Sequence, residues 1–458
     1  MPDTRGLLRL KPHQLDGVSH ILSREYAITG AGTGTGKTGM MAWASKMALE
    51  ELEPVMNIVP NSIMQQTLEE YEFWHGQEWA RQHVVQLHSM AQKDRADLLR
   101  RTRRQHDIVV IASHEMLSNK EVAAALESRT WALTLVDEGS RFRNDSARSR
   151  ALGRLRKVSG IRNVMSGTLV VRNRGDLWYP GVFLKQGLFS GITQREIFMR
   201  HFFTFDEETQ EFTEKERPEH RAELDAIVNA ITWRVQLSDV RDMPARTITR
   251  RVVDMSLAQR RAYAELRDTL TLEIEREDDK DFKLRVRHYV TRIQRLQEIA
   301  AGFARNASGD IYYIGSSKTE ELGELLQDGT PSIVWTWWVP ERDAVVDRLR
   351  NIHISVTRDR AYFNAGQAQV IVMSPASGGY GMNLDRAERM IYHSLPWDLD
   401  LYIQSQERNW RLTTTKPKEI VHLVSRDTID ERVLGKLIAK ARISERAMGK
   451  SDALAFLR

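Results

Sequence analysis

The chain has 458 residues, with 67 Lys and Arg against 62 Asp and Glu and a formal charge of +5; this is too long for one ordinary core, so two or more domains are expected, and the weak basic balance is compatible with nucleic-acid binding without requiring it. Hydrophobic residues at 41% and charged residues at 28% read as a globular chain, and no apolar run is long enough to span a bilayer. Cysteine is absent, which excludes disulfides, thiolate zinc sites and cysteine nucleophiles; the stretch from Met1 to Lys11 is charged and lacks a signal-peptide core, so an intracellular, cytoplasmic setting is expected.

Short apolar, β-branched runs alternate with longer helical patterns. Residues 26–29 read as a strand, and 40–49 as a helix. Residues 55–59, 108–112, 133–136 and 163–165 read as buried parallel strands, each followed by small or polar residues and then a helix. This is βαβ alternation, hence a doubly wound sheet. Arg100-Arg101-Thr102-Arg103-Arg104 is the densest basic cluster, and a solvated helix end is preferred to a phosphate contact. From 183 to 313 the pattern turns helical and charged. The run from Glu273 to Asp281 reads as a solvated helix or loop. Arg285, Arg287, His288, Arg292 and Arg295 come next on an expected helix, where phosphate contact and a solvated face fit equally. A second strand series covers 333–336, 354–357, 370–373, 390–393 and 420–424. Two such series imply two α/β lobes.

Four segments carry chemistry. Ala31-Gly32-Thr33-Gly34-Thr35-Gly36-Lys37-Thr38 matches the P-loop pattern. Glycines let backbone N–H groups close around phosphate oxygens, and the positive end of the following helix favours the anion. Lys37 would then reach the β- and γ-phosphates of ATP, and Thr38 would hold Mg2+. Asp137-Glu138 ends an apolar strand. Asp137 would bind Mg2+ and Glu138 would polarise the attacking water. Neighbouring strand residues face opposite ways, so a bend must bring both to one site. Arg408 and Arg411 lie three apart, on one face if helical; that spacing alone favours an ordinary arginine-rich surface helix. Trp335, Trp337 and Trp338 flank a strand; Trp337 could stack on a base or sugar, though core packing is the commoner fate.

Taken in order, these segments resemble the Swi/Snf-type ATPases of helicase superfamily two. The resemblance runs over nearly the whole chain. Leu10-Lys11-Pro12-His13-Gln14-Leu15-Asp16-Gly17-Val18 looks like the opening motif. Asp137-Glu138-Gly139-Ser140-Arg141-Phe142-Arg143-Asn144 looks like the second. Ser166-Gly167-Thr168, with Asn173 and Leu177-Trp178, looks like the third. Trp233, Arg234, Asp239-Val240 and Pro244 are similar to the linker between lobes. Ala365-Gly366-Gln367-Ala368-Gln369-Val370 and Ser374 to Leu384 resemble the fifth-motif region. Gln404-Ser405-Gln406-Glu407-Arg408-Asn409-Trp410-Arg411 resembles the sixth motif, and Lys416-Pro417 and Thr428-Ile429-Asp430-Glu431-Arg432 resemble the segment beyond it. There are departures. Gly139-Ser140 replaces Ala-His or Ala-Gln, Leu169-Val170 replaces Pro-Leu, and Trp410 stands where histidine is common.

The resemblance implies two RecA-like P-loop lobes with parallel sheets and ATP between them: residues 1–182, a helical insertion and linker over 183–313, and residues 314–458. It implies ATP-driven movement along DNA, duplex favoured and single strands allowed. Gln14 would contact adenine, and Gly381 and Asn383 would serve the nucleotide from the second lobe. Arg408 and Arg411 would act on the γ-phosphate. Ser166, Gly167, Thr168 and Gln404 would couple the site to motion. Pro60, Asn61, Ser62, Ser113, His114, Thr336, Trp337, Ser374, Gly378 and Gly379 would meet the phosphate backbone. Two alternatives remain open: a strand-separating helicase on DNA or RNA, and a partner-gated nucleotide switch. Protein partners are not readable; stand-alone members of the family are expected in phages, which would place the chain in the host cytoplasm.

Overall fold

The computed structural model describes residues 10–32, 34–170, 173–207, 211–240, 244–276, 293–305, 311–375, 384–410 and 414–447. Two compact units divide the chain, the first drawn mainly from Met1–Asp242 and the second mainly from Met243–Lys440. The first unit holds strands β1 (Tyr26–Ala31), β2 (Val55–Val59), β3 (Val84–Gln86), β4 (Val109–Ser113), β5 (Trp131–Val136), β6 (Ser159–Met165), β7 (Phe203–Asp206), β8 (Glu211–Glu216) and β9 (Thr232–Val235). Seven form one parallel sheet in the order β3-β4-β2-β5-β6-β1-β9, while β7 and β8 pair as an antiparallel hairpin. Every residue of β2 and β4 is buried, as expected of a parallel sheet covered on both faces. Asn57 is tolerated inside β2 because its amide donates to Ser45 Oγ at 3.2 Å and to the Tyr71 hydroxyl at 2.5 Å; an unpaired amide there would cost roughly 1–3 kcal/mol.

Helix α1 (Pro12–Leu22) precedes β1, and α2 (Lys37–Glu51) comes after it. Pro12 occupies the first turn of α1, where its missing N–H has no helical partner to lose.

The second unit holds β10 (Arg246–Val253), the antiparallel pair β11 (Phe303–Arg305) and β12 (Ile311–Tyr313), then β13 (Ser332–Trp335), β14 (Val356–Thr357), β15 (Val370–Met373), β16 (Arg389–Tyr392) and β17 (Lys418–Ser425). Six form a parallel sheet in the order β10-β17-β16-β13-β15-β14. Val334, Val372, Ile391 and Leu423 meet in its core. The architecture is α/β with two parallel-sheet, RecA-like lobes. Among the described residues no helix is long and apolar enough to cross a membrane.

Among the described residues, the segment 183–313 carries strands as well as helices. The division between units falls inside it, at 242/243. β9 adds to the first sheet, with Ile28 opposite Thr232, and β10 adds to the second, with Arg246 opposite Lys418 through Val253 opposite Ser425. Both are edge strands carrying arginine, so neither shows the continuous apolar run of an inner strand. Residues 277–292 lie outside the described residues, and with them part of the acidic run and Arg285, Arg287, His288 and Arg292. Arg295 is engaged within the fold, donating to Glu298 at 3.1 Å and to the Arg305 carbonyl at 3.0 Å. The basic cluster ends the helix Gln92–Arg101, with Arg101, Arg103 and Arg104 exposed, as a solvated helix end should be.

Candidate functional site

The strand register of the first unit brings the motifs to one edge. Val59 pairs with Ser113, Ile58 with Val136, Val136 with Val164, and Thr29 with Met165. The residues just past these strand ends therefore share the carboxyl edge, where open α/β sheets bind ligands. Asp137 N–H donates to the Ile58 carbonyl at 2.9 Å, and Ser166 N–H to the Thr29 carbonyl at 3.1 Å.

The loop after β1 is shaped by its glycines. Gly34 (φ 81) and Gly36 (φ 90, ψ 35) take left-handed conformations, which side chains disfavour. A Cβ on Gly36 would stand 1.9 Å from Gln14 Nε2, so the position is closed to side chains twice over. Thr35 folds back, its hydroxyl donating to the Gly32 carbonyl at 2.6 Å. The Thr35 carbonyl accepts from His13 Nε2 at 2.9 Å and Gln14 Nε2 at 3.3 Å, while Gln14 Oε1 accepts from Lys11 N–H. Both polar ends of Gln14 are thus engaged within the chain. α2 begins directly at Lys37, so its unpaired N–H groups face the loop. Lys37 is 9% exposed and donates to the Ala31 carbonyl at 3.1 Å. Thr38, half-buried, is next in the first turn. Thr33 lies outside the described residues.

The expected bend after β5 is present. Glu138 adopts φ 49, ψ 53, a left-handed conformation that costs a non-glycine residue about 1–3 kcal/mol and clusters at functional sites. Asp137 is 4% and Glu138 8% exposed. Burial pushes the Asp137 carboxyl above the usual range, while Lys37, the Glu138 N–H and Arg141 oppose the rise. Lys37 and Asp137 therefore act on one another. The Thr38 hydroxyl and Asp137 carboxylate are oxygen donors, the set that suits Mg2+.

A carboxyl with a raised folded pKa contributes fully to stability below its unfolded pKa and loses that contribution as pH rises through the folded value. Asp137→Asn should therefore raise Tm of the ligand-free protein near neutral pH. The gain should vanish in acid, where the parent carboxyl is already protonated. Thermal unfolding across pH checks this; a variant melting below its parent at neutral pH would refute it.

The departure at Gly139 has a steric cause, since a Cβ there would lie 2.2 Å from Val164 Cγ1. Ser166 is fully buried, and its hydroxyl accepts from the Thr168 N–H at 3.1 Å, closing the turn through Gly167. Asn61 and Ser62 are exposed just past β2, and Pro60 is buried. Ser113 is 1% exposed, its hydroxyl taking the Met116 N–H at 3.3 Å. The resemblance places His114 beside it at the phosphate backbone, yet His114 is fully buried and its Nε2 donates to the Asp137 carbonyl at 2.8 Å. Burial pushes His114 down to about 3, so it supports Asp137 as a neutral ring.

In the second unit, Thr336 is buried, with its N–H 2.9 Å and its hydroxyl 3.3 Å from the Met373 carbonyl. Trp337 is half-buried, and its N–H is shared between Glu341 Oε2 (3.0 Å) and Ser394 Oγ (2.7 Å). Trp335 is fully buried. Glu341 anchors the loop from below, with His393 Nδ1 at 2.6 Å and Thr319 Oγ1 2.9 Å beyond His393 Nε2. Burial would raise the Glu341 carboxyl, but His393, Lys318 and the Trp338 N–H together hold it below its usual range. Sequence reading missed this relay; the signal was Pro340-Glu341 opening a helix, where Glu in the first turn caps the preceding N–H groups.

Ser374 stands just past β15, half-buried. Gln404 is half-buried on the helix Leu399–Gln406. Arg408 is not on a helical face. The helix stops before it, and Arg408 lies in the next turn, 6% exposed, its carbonyl accepting from Leu384 N–H at 3.0 Å. Arg411, Gly378, Gly379, Gly381 and Asn383 lie outside the described residues. Trp410 has a structural reason: the Arg246 guanidinium lies 5.3 Å over its ring while donating to Gln406 at 2.5 Å. Burial lowers Arg246 to about 10. Gln236 was also missed: it crowds Gly32, where a Cβ would meet its Oε1 at 2.9 Å, and it comes directly after Val235, whose carbonyl accepts Gly32 N–H.

Among known proteins, the SNF2-related domain family matches residues 13–301. The ISWI chromatin-remodeling complex ATPase ISW1 of Saccharomyces cerevisiae is 22% identical, aligned over 95% of this chain and 40% of that protein. Putative protein p41 of Acyrthosiphon pisum secondary endosymbiont phage 1 is also 22% identical, over 95% of this chain and 97% of its own length. The Sulfolobus solfataricus SWI2/SNF2 ATPase core in complex with dsDNA aligns with a TM-score of 0.45 at 20% identity, covering 97% of this chain and 96% of that one. The chain spans 40–44% of the length of the first three curated relatives it matches. With more than half of its residues matched, the chain belongs to the SNF2-related family, the Swi/Snf-type ATPases of helicase superfamily two.

Proposed function

We propose that the chain is a nucleic-acid-stimulated ATPase that turns ATP hydrolysis into movement along DNA, duplex favoured. The observation that carries this reading is the first sheet's carboxyl edge, where a glycine-rich loop, a buried lysine, a helix amino end and a strained Asp137-Glu138 turn meet. In this reading the loop N–H groups and Lys37 hold the β- and γ-phosphates, Gln14 meets adenine, and Glu138 orients the attacking water. Thr38 and Asp137 would hold Mg2+, which would supply neutralisation of the phosphate charge. Arg408 and Arg411 stabilise the transferring phosphoryl group. Ser166, Gly167, Thr168 and Gln404 pass the change to the exposed turn at Asn61-Ser62 and to the Glu341-anchored Trp337 loop. Gly378, Gly379, Gly381 and Asn383 are assigned on the resemblance alone. Family membership and the relatives named as remodelling ATPases support the reading. A motor that steps on any sequence needs backbone contacts, not base readers.

The test is ATP turnover without nucleic acid and with single-stranded DNA, duplex DNA or RNA, with Lys37→Ala as background. Stimulation chiefly by duplex DNA is expected, and the apparent affinity should fall steeply with salt. Stimulation chiefly by single strands or RNA would favour a strand-separating helicase. No stimulation would favour a partner-gated switch.

A further inference from the structure

Three metal-ligating side chains converge in the first unit, away from the loop after β1. His201 comes from the helix Arg195–Phe202, and His220 and Glu223 come from the helix Pro218–Ile231. Their donor atoms all lie within 4.8 Å of one another. His201 Nε2 is 3.0 Å and His220 Nδ1 3.1 Å from the same oxygen, Glu223 Oε2. The two rings are 3.9 Å apart between centroids. The other oxygen, Oε1, accepts from the Ser190 hydroxyl, which is presented from a left-handed backbone position (φ 53).

Two ring nitrogens converge on one carboxylate oxygen while Ser190 holds the other. A cation shared by the two nitrogens and Glu223 Oε2 accounts for that convergence. Tetrahedral Zn2+ with bonds of about 2.0–2.1 Å places its donors about 3.3–3.4 Å apart. The two edges to Glu223 need to open by only about 0.3 Å, and the third, between the ring nitrogens, lies within 4.8 Å. The Ser190 hydroxyl then does what outer hydrogen bonds do at metal sites, fixing which carboxylate oxygen faces the ion.

We propose that His201, His220 and Glu223 form a binding site for a divalent transition metal, Zn2+ by its donor set, with a fourth position open to water. Two nitrogens and one oxygen suit Zn2+ and not Mg2+, which takes oxygen ligands and keeps its waters. The side chains are about one third exposed, at 32%, 32% and 36%, so the ion is exchangeable. It would clamp the two helices that flank the β7–β8 hairpin. The same element is fastened elsewhere to the stretch after the third motif: buried Arg174 pairs with Glu216, at 2.6 Å, and with Asp225.

The experiment uses the full chain after chelator treatment. Calorimetric titration with Zn2+ should show one equivalent bound and a raised Tm, with Mg2+ unable to replace it. His201→Ala and Glu223→Gln should weaken binding about 100-fold or more, and Ser190→Ala about tenfold. Co2+ in the parent should give the visible bands of a tetrahedral site, and these should vanish in the variants. No zinc uptake by the parent, or equal affinity in parent and variants, would overturn the proposal. Should a variant fail to fold, X-ray absorption of the zinc-loaded parent decides: two imidazoles and oxygen are expected, and an all-oxygen shell would overturn it.

Discussion

Lys37→Ala is expected to reduce ATP hydrolysis to background, a loss of at least about 10³-fold, the upper range seen when one preorganised charge-stabilising group is removed. The reason is local. Lys37 is the first residue of α2 and nearly buried, so no other cation on that helix reaches the same point. Its loss also leaves Asp137 without the charge that opposes its burial. The carboxyl then moves further up, which weakens it as a metal ligand. Two defects thus arise from one substitution. Phosphate release measured with and without DNA checks this, with Tm as the control for folding. Turnover above about a tenth of the parent would mean that ATP is not hydrolysed at this loop, since each tenfold loss reports only 1.36 kcal/mol of barrier.

Arg408→Ala should lower kcat by about 10³–10⁵, the range of an arginine acting on the transferring phosphoryl group, with far less effect on ATP affinity. The backbone around Arg408 is held independently of its side chain, through Ser405 at 3.4 Å and Leu384 at 3.0 Å. Alanine removes the guanidinium and keeps both of these backbone hydrogen bonds, with Tm as the control for folding. Arg411→Ala should behave alike. Arg408→Lys should rescue little, because a lysine lacks the planar fork. Single-turnover hydrolysis and binding of a fluorescent ATP analogue separate the two effects. Parental kcat in both alanine variants would remove the arginines from the mechanism.

Much of the fold was legible because inner parallel strands are buried on both faces and so read as unbroken apolar runs. Residues 55–59 and 370–373 are strands over those same limits. Edge strands hide for the opposite reason. β10 carries Arg246, Arg250 and Arg251, and β9 has four residues with one arginine, so their place depends on β17 and β1, far along the chain. The bend at Glu138 was foreseen because two adjacent carboxylates cannot share one strand face. The Arg408 turn was not, because three-residue spacing reads as a helical face until something shows where the helix ends.

By itself the sequence determined the alternation of strand and helix, the loop from Gly32 to Lys37 and the order of the motifs. Each of these rests on local chemistry: β-branched runs, glycine's left-handed freedom, and carboxylates at a strand end. Only the tertiary structure decided that Gln14 closes on Thr35 and that His114 stands under Asp137. It likewise decided that Glu341 with His393 anchors Trp337, that Val164 requires Gly139, and that His201 reaches His220 and Glu223. These are contacts between residues distant in the chain. Their energies depend on burial and register, which no local window of sequence contains.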